Sequence, residues 1–374
     1  MNRATTQLRS VSVRGAVLGL LALLTIGWAL ADPVDYPAVV PGYRIEFPRD
    51  EGSHPDFRTE WWYVTGWLED ETGAPLGFQV TFFRARPGVD EDNPSRFAVR
   101  QALFAHVAIS DPRRGKLLHD ERSARAGFGL AEAKTGLLDV VIDDWFLRNR
   151  PAVNDRARYE AAIDAEGLAM HLEFIATQAP LLQGRDGFSQ KSPNPLSASY
   201  YYSVPHLQTS GRVRIGKQEY KVRGTAWLDH EWSSEYLEPQ AKGWDWVGVN
   251  LDDGGALMVF RMRGNDGKPR WQSATWRSRP QDIASVLAPA DVEWSELRRW
   301  RSPRTGIEYP VEWQVRVGDR TLLLRPLLDD QENDARTSTG TIYWEGAVRA
   351  SDESGRQVGR GYLELTGYGE KVRM

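Results

Sequence analysis

Cysteine is absent from this chain of 374 residues, so no disulfide can hold the fold together and thiol-linked lipidation is excluded. Basic blocks are missing as well. Lys and Arg are spread along the chain and the formal net charge is −4. That excludes the basic footprint of nucleic-acid binding and the polybasic segment that an anionic membrane surface attracts. There is no HExxH, no Cys/His ligand spacing and no acidic calcium loop, so no metal is expected. A Gly-rich phosphate loop and a GxSxG nucleophile elbow are also lacking. Only one apolar run approaches a membrane-spanning length. It extends from Val17 to Leu30, follows Arg3, Arg9 and Arg14, and ends in Ala29-Leu30-Ala31 before Asp32-Pro33. This layout predicts a secretory signal peptide over residues 1–31, with a membrane anchor as the alternative. The mature chain is therefore expected in the periplasm or secreted.

Tryptophan is what the chain has in excess, with 15 copies. Large aromatic side chains dominate the energetics of cores and pockets, so an aromatic-lined cavity is expected. Period-2 alternation dominates the rest. Trp62–Leu68 and Leu76–Phe83, joined by the polar turn Glu69–Pro75, read as a hairpin. Many similar short runs follow, whereas Pro280–Leu287 and Val292–Trp300 read as short helical or irregular connections. The fold class is thus mainly β, a barrel or sandwich rather than α/β. Trp61–Asp70 can be laid over Trp244–Asp253, and Phe82-Phe83-Arg84-Ala85-Arg86 over Val259-Phe260-Arg261-Met262-Arg263. This weak repeat predicts two related antiparallel β-barrels, with a changeover between Pro205 and Gly216 and domains at 32–208 and 209–374.

Three clusters could carry chemistry. His54, on a Pro-interrupted loop, and Glu60, opening the aromatic run Trp61-Trp62-Tyr63, are catalytic or ligand candidates; the plainer role for Glu60 is a solvated strand-end charge or a partner for Arg58. Asp229-His230-Glu231, flanked by Trp227 and Trp232, is the densest cluster. On a strand, Asp229 and Glu231 share one face and His230 and Trp232 the other. Buried carboxylates without partners are costly, so these groups either face solvent or form an internal network. In such a network a carboxyl group would favour its neutral form and could act as an acid. The third cluster, Tyr200-Tyr201-Tyr202 with His206, lines a cavity or covers the junction between halves. His106 reads as a core histidine or a pocket group.

The stretches Phe47–Pro55, Glu60-Trp61-Trp62-Tyr63, Tyr201–Leu207, Gly224–Trp232, Gly243–Gly255, Tyr343-Trp344-Glu345-Gly346 and Gly361–Tyr368 together resemble a family of secreted lipocalin-like proteins. That family includes AttH-like proteins, bacterial carotenoid 1,2-hydratases and fungal kievitone hydratase. The resemblance implies two lipocalin-like barrels packed together and an apolar small-molecule ligand. It also implies, in the hydratase members, addition of water to an isoprenoid-type alkene without a cofactor. On that reading Asp229 is the acid and His230 its proton partner, with His54, Glu60 and Glu231 as secondary candidates. Trp61, Trp62, Tyr63, Tyr201, Tyr202, His206, Trp232, Trp244 and Trp246 are the candidate ligand-binding residues. The alternatives are a noncatalytic carrier or accessory protein serving an envelope transporter, and a secreted hydrolase or isomerase.

Overall fold

The computed structural model describes residues 34–89 and 91–372; the segment read as a signal peptide lies outside the described residues. From Asp35 onward the chain forms two large antiparallel sheets, of 13 and 10 strands. Among the described residues the helical turns are two short 3-10 segments, Arg49–Glu51 and Pro289–Asp291. None is long and apolar enough to cross a membrane.

The first sheet runs through Leu117–Arg125, Ala102–Ser110, Pro75–Ala85, Thr59–Glu69, Gln218–Glu235, Ala198–Ile215, Leu168–Ala176, Arg156–Ala165, Trp145–Val153, Asp139–Ile142 and Ala131–Ala133. Two short strands, Leu181–Leu182 and Phe188–Gln190, also pair with Ala198–Ile215. The ends of this sheet nearly meet. Arg122, on the first of these strands, pairs with Asp144 and donates to the Asp164 carbonyl at 3.2 Å, while its guanidinium lies over the Trp145 ring.

The second sheet runs through Ser285–Leu287, Pro269–Arg277, Ala256–Gly264, Ala241–Leu251, Gln357–Leu365, Thr341–Ser351, Arg320–Pro326, Glu308–Val317 and Val292–Arg301, with Glu332–Ala335 also paired to Thr341–Ser351. It stays open: Gln272, on the strand next to one end, reaches the strand at the other end through its side chain, Nε2 donating to the Val292 carbonyl at 2.6 Å, and no backbone ladder among the described residues closes the sheet. The mainly β expectation holds, but in place of two barrels there is one nearly closed sheet and one open one. Val292–Arg301 is a strand, not a helical connection. Register shifts between Glu296 and Arg299 interrupt its alternation, which hides the strand from a period-2 reading.

The sheets change over between Glu235 and Ala241, and position 208 lies inside the strand Ala198–Ile215. The Pro205–Gly216 stretch belongs to the first sheet, with a register shift between Val204 and Leu207 and His206 held at φ 52°. The two halves do share a device. Glu60 stands directly across from Arg84 in the first hairpin, and Asp245 directly across from Arg261 in the second, each a buried ion pair.

Alternation sorts the side chains into layers. Trp62, Val64, Leu228 and Trp232 fill the interior of the first sheet. Tyr63, Trp67, Tyr201 and Trp227, from the opposite faces of the same strands, pack against Trp246, Met258 and Tyr362 of the second. Where the strands Thr59–Glu69 and Gln218–Glu235 pair, Gly224 lets them approach closely; a β-carbon there would lie 1.9 Å from the Trp67 carbonyl oxygen. Gly224→Ala should therefore lower the unfolding free energy by about 1–3 kcal/mol, the usual cost of overpacking, measured by urea denaturation. A midpoint matching the wild type would mean the ladder yields without cost.

Candidate functional site

The strand Gln218–Glu235 separates two polar systems. On the face toward the first sheet's interior, His230 Nε2 lies 2.9 Å from Glu60 Oε1, and its Nδ1 lies 3.1 Å from the Asp50 carbonyl oxygen. Glu60 is saturated. Its carboxylate takes the His54 backbone N–H at 2.9 Å, His54 Nδ1 at 2.8 Å, Ser53 Oγ at 3.0 Å and Arg84 Nε at 2.8 Å. The His54 ring stacks on Trp232 with 3.8 Å between centroids, and His230 stacks on Trp62. Burial alone would raise the Glu60 pKa, but the Arg84 charge and the two histidines hold it well below the usual range. Burial likewise opposes charge on His54, yet its bonds to Asp50 and Glu60 raise its pKa. His230 is pushed down by burial.

His54, Glu60 and His230 can each offer a ligand atom within 4.8 Å of the others. The donor set does not suit a cation, because Arg84 places a fixed positive charge on the shared carboxylate and four donors already occupy it. This network ties the segment around Arg49–Glu51 to the first sheet.

The opposite face opens on a cavity of about 770 Å³ between the two sheets. Its rings include Trp61, Tyr63, Tyr201, Tyr236, Trp244 and Trp246, and its buried carboxyl groups include Asp229, Glu231, Glu345 and Glu364. Asp229 accepts from Tyr201 Oη at 2.7 Å, Ser203 Oγ at 2.5 Å and Trp227 Nε1 at 2.6 Å. Tyr201 in turn accepts from Trp246 Nε1 at 2.9 Å, so both sheets build this relay. Burial pushes the Asp229 pKa up to about 7, outweighing its three donors. Glu231 pairs with Lys191 at 2.7 Å. The Lys191 ammonium also faces the rings of Phe260, Tyr201 and Tyr236 at 4.4, 4.9 and 5.1 Å, contacts that offset part of its desolvation. Burial still lowers the Lys191 pKa and raises that of Glu231.

The residues expected from the sequence thus fall into two groups. Asp229, Glu231, Trp61, Tyr63, Tyr201, Trp244 and Trp246 line the cavity, and Glu60 borders it while its carboxylate serves the interior network. His230, His54, Trp62, Tyr202 and Trp232 belong to the interior network. His230 is not the proton partner of Asp229, because consecutive strand residues point to opposite faces; that place is taken by Tyr201. Arg84, not Arg58, pairs with Glu60. His206 Nε2 donates to the Gly255 carbonyl at 2.8 Å and joins the sheets away from the cavity lining. His106 lines the cavity and is hydrogen-bonded to Tyr343 and Ser338 at 2.8 Å each.

Lys191, Glu345 and Glu364 escape a local reading of the sequence. Lys191 sits in a Ser/Pro/Asn-rich loop, and the two glutamates are isolated acids in ordinary strands. Only the family-resembling stretches Tyr343–Gly346 and Gly361–Tyr368 mark the two glutamates.

Comparison with known proteins agrees with this architecture. The AttH-like family model matches residues 38–368. An AttH protein of Nitrosomonas europaea, solved by crystallography, is 50% identical, with 89% of this chain and 99% of that one covered and a TM-score of 0.82. Kievitone hydratase from Nectria haematococca shares the fold at 12% identity, covering 90% and 97% of the two chains with a TM-score of 0.66. CghA with Sch210972 does so at 17% identity, covering 92% and 96% with a TM-score of 0.57. No curated protein matches the chain significantly. With most of its length matched by the family model and half of its aligned residues identical to a solved AttH protein, the chain belongs to the AttH-like family.

Proposed function

We propose that the protein is exported and binds an apolar, alkene-bearing small molecule between its two sheets, which we read as lipocalin-like in origin. We propose further that it hydrates that molecule without a cofactor, as a lyase. One observation carries the reading: an aromatic cavity of about 770 Å³ contains carboxyl groups whose pKa values burial raises, Asp229 to about 7 and Glu364 to about 8. An isolated alkene accepts a proton only from a positioned acid. The cationic carbon that results is stabilised by ring faces, at roughly 0.5–2 kcal/mol each. Water then adds while a base takes its proton. Asp229 and Tyr201 supply a proton-exchange relay at one wall, and Trp61, Trp244 and Trp246 supply the faces.

A noncatalytic carrier, serving an envelope transporter, is the second reading. It is favoured by the fixed partners of Asp229 and by the Lys191–Glu231 pair, which would hold a guest without exchanging protons.

Incubating the purified chain with geraniol or a prenylated phenol in ¹⁸O-labelled heavy water separates the two. Hydration gives a product carrying one ¹⁸O and one carbon-bound deuterium, and Asp229→Asn should lower its rate by about 10²–10⁴-fold with binding retained. A bound probe recovered unlabelled supports the carrier, and failure to bind any such molecule removes both readings.

A further inference from the structure

We propose that Glu345 and Glu364 form a proton-sharing carboxyl pair that delivers the proton to a molecule held in the cavity. The inference rests on the hydration reading above. The two residues are direct register partners on the neighbouring strands Thr341–Ser351 and Gln357–Leu365. Residues so placed have β-carbons about 4.5–5.5 Å apart on one face of the sheet, and here both side chains line the cavity. Glu345 is 1% exposed and its Oε1 has no hydrogen-bond partner. A buried polar atom without a partner is costly, and one facing a cavity is positioned to meet a ligand.

No cation neutralises the pair. Among the described residues neither glutamate has an ion-pair partner, and the cations lining the cavity bind elsewhere: Arg84 to Glu60, Arg304 to Asp330, Arg336 to Asp334 and Lys371 to the Pro239 carbonyl. The groups that face the pair add no compensating positive charge. They are Tyr63 from the strand Thr59–Glu69, Tyr343 and Tyr362 from the pair's own strands, Asp229 and Glu231 from Gln218–Glu235 with Tyr236 just after it, and Asp245 from Ala241–Leu251, whose neighbour Trp244 donates a hydrogen bond to Glu364. Two like charges on directly opposite residues in a desolvated site oppose each other, so the pair retains a proton. In line with this, burial pushes Glu364 up to about 8 and raises Glu345 well above the usual carboxyl range, with the charge of Glu364 adding to the rise of Glu345.

In the step itself the Glu345 O–H bond breaks as a C–H bond forms on the alkene, leaving a carbocation beside the rings. Water forms the C–O bond and gives its proton to ionised Asp229 across the cavity. Asp229 then loses that proton to solvent and the pair regains one, so each turnover consumes one water.

The shared proton can be tested without any substrate, by carbon NMR of the full mature chain labelled with ¹³C at glutamate carboxyls. At pH 7 the pair should be protonated, Glu364 should ionise near pH 8 with Glu345 still holding its proton, and Glu364→Gln should return Glu345 toward ordinary titration. Finding both carboxyls ionised at pH 7 overturns the inference. With geraniol in heavy water, Glu345→Gln should lower carbon-bound deuterium by about 10²–10⁴-fold while geraniol binding persists; undiminished incorporation also overturns it. A wild-type chain that binds geraniol without incorporating deuterium defeats the hydration reading itself. An ionised pair in a chain that does incorporate deuterium defeats only this inference.

Discussion

Replacing Glu60 with alanine should cost about 3–5 kcal/mol of unfolding free energy, the usual penalty for removing one member of a buried ion pair. The side chains of Glu60 and Arg84 are 0% and 1% exposed. Without the carboxylate, Arg84 keeps only carbonyl and amide acceptors at His54, Pro55 and Gln101. The His54 N–H, Ser53 Oγ and His230 Nε2 lose their shared partner in the same stroke. The damage should spread to the segment holding Asp50 and Glu51, since Asp50 accepts from His54 and from the Arg49 and Tyr43 side chains. Urea denaturation of the single and double variants gives the check. Glu60→Leu combined with Arg84→Met should recover part of the loss, because removing both charges leaves neither unpaired. A single-variant cost below about 1 kcal/mol would mean that the pair behaves as a solvent-exposed one.

The second large effect is on pH dependence: stability should peak on the acid side of neutrality and fall steadily toward alkaline pH. Carboxyl groups with raised folded-state pKa values bind a proton more tightly in the folded chain than in the unfolded one. Their destabilising contribution is absent below the unfolded value and complete above the folded one. For Asp229 that window runs from 3.8 to about 7, and for Glu364 from 4.5 to about 8. Glu345 extends it further upward. His54, raised by Asp50 and Glu60 against its burial, loses its contribution in the same direction. The acid limb has the opposite origin. Glu60 and Asp50 are held low by their cationic partners against burial, and Asp70 is lowered to about 2 by Thr72 and the turn amides, so their contributions vanish as pH drops below about 4. Each pH unit that separates a folded-state pKa from its unfolded value is worth about 1.4 kcal/mol. The cavity carboxyls together should therefore remove several kcal/mol between pH 5 and 9. Thermal unfolding across that range should show the decline, and Glu364→Gln and Asp229→Asn should each flatten it. A flat or rising profile would contradict the burial of these charges.

The alternating aromatic runs sufficed to reveal a mainly β chain with related hairpins, because a strand exposes its period directly. The same period places Asp229 and His230 on opposite faces without further information. That Asp229 and Glu231 sit in a polar network amid aromatic rings was one of the two alternatives legible in the sequence, whereas the same reading grouped Trp62, Tyr202 and Trp232 with Tyr201, Trp244 and Trp246. The boundary near Pro205–Gly216 was not legible. A bulge at His206 resembles an interruption between domains, whereas the strand continues beyond it.

Period alone says which residues share a side and leaves open what that side meets. Only the packing of the sheets decided that His230, Trp62 and Trp232 face the first sheet's interior while Tyr63, Tyr201 and Asp229 face the second sheet. Glu345 and Glu364 became a pair through strand register, and met Asp229 through contact between sheets, both of them long-range pairings that no local pattern encodes. The sequence by itself determined the strands and the sidedness of each residue, because these follow from backbone geometry. The tertiary structure decided which side became core, which became cavity, and which distant acids came to share it.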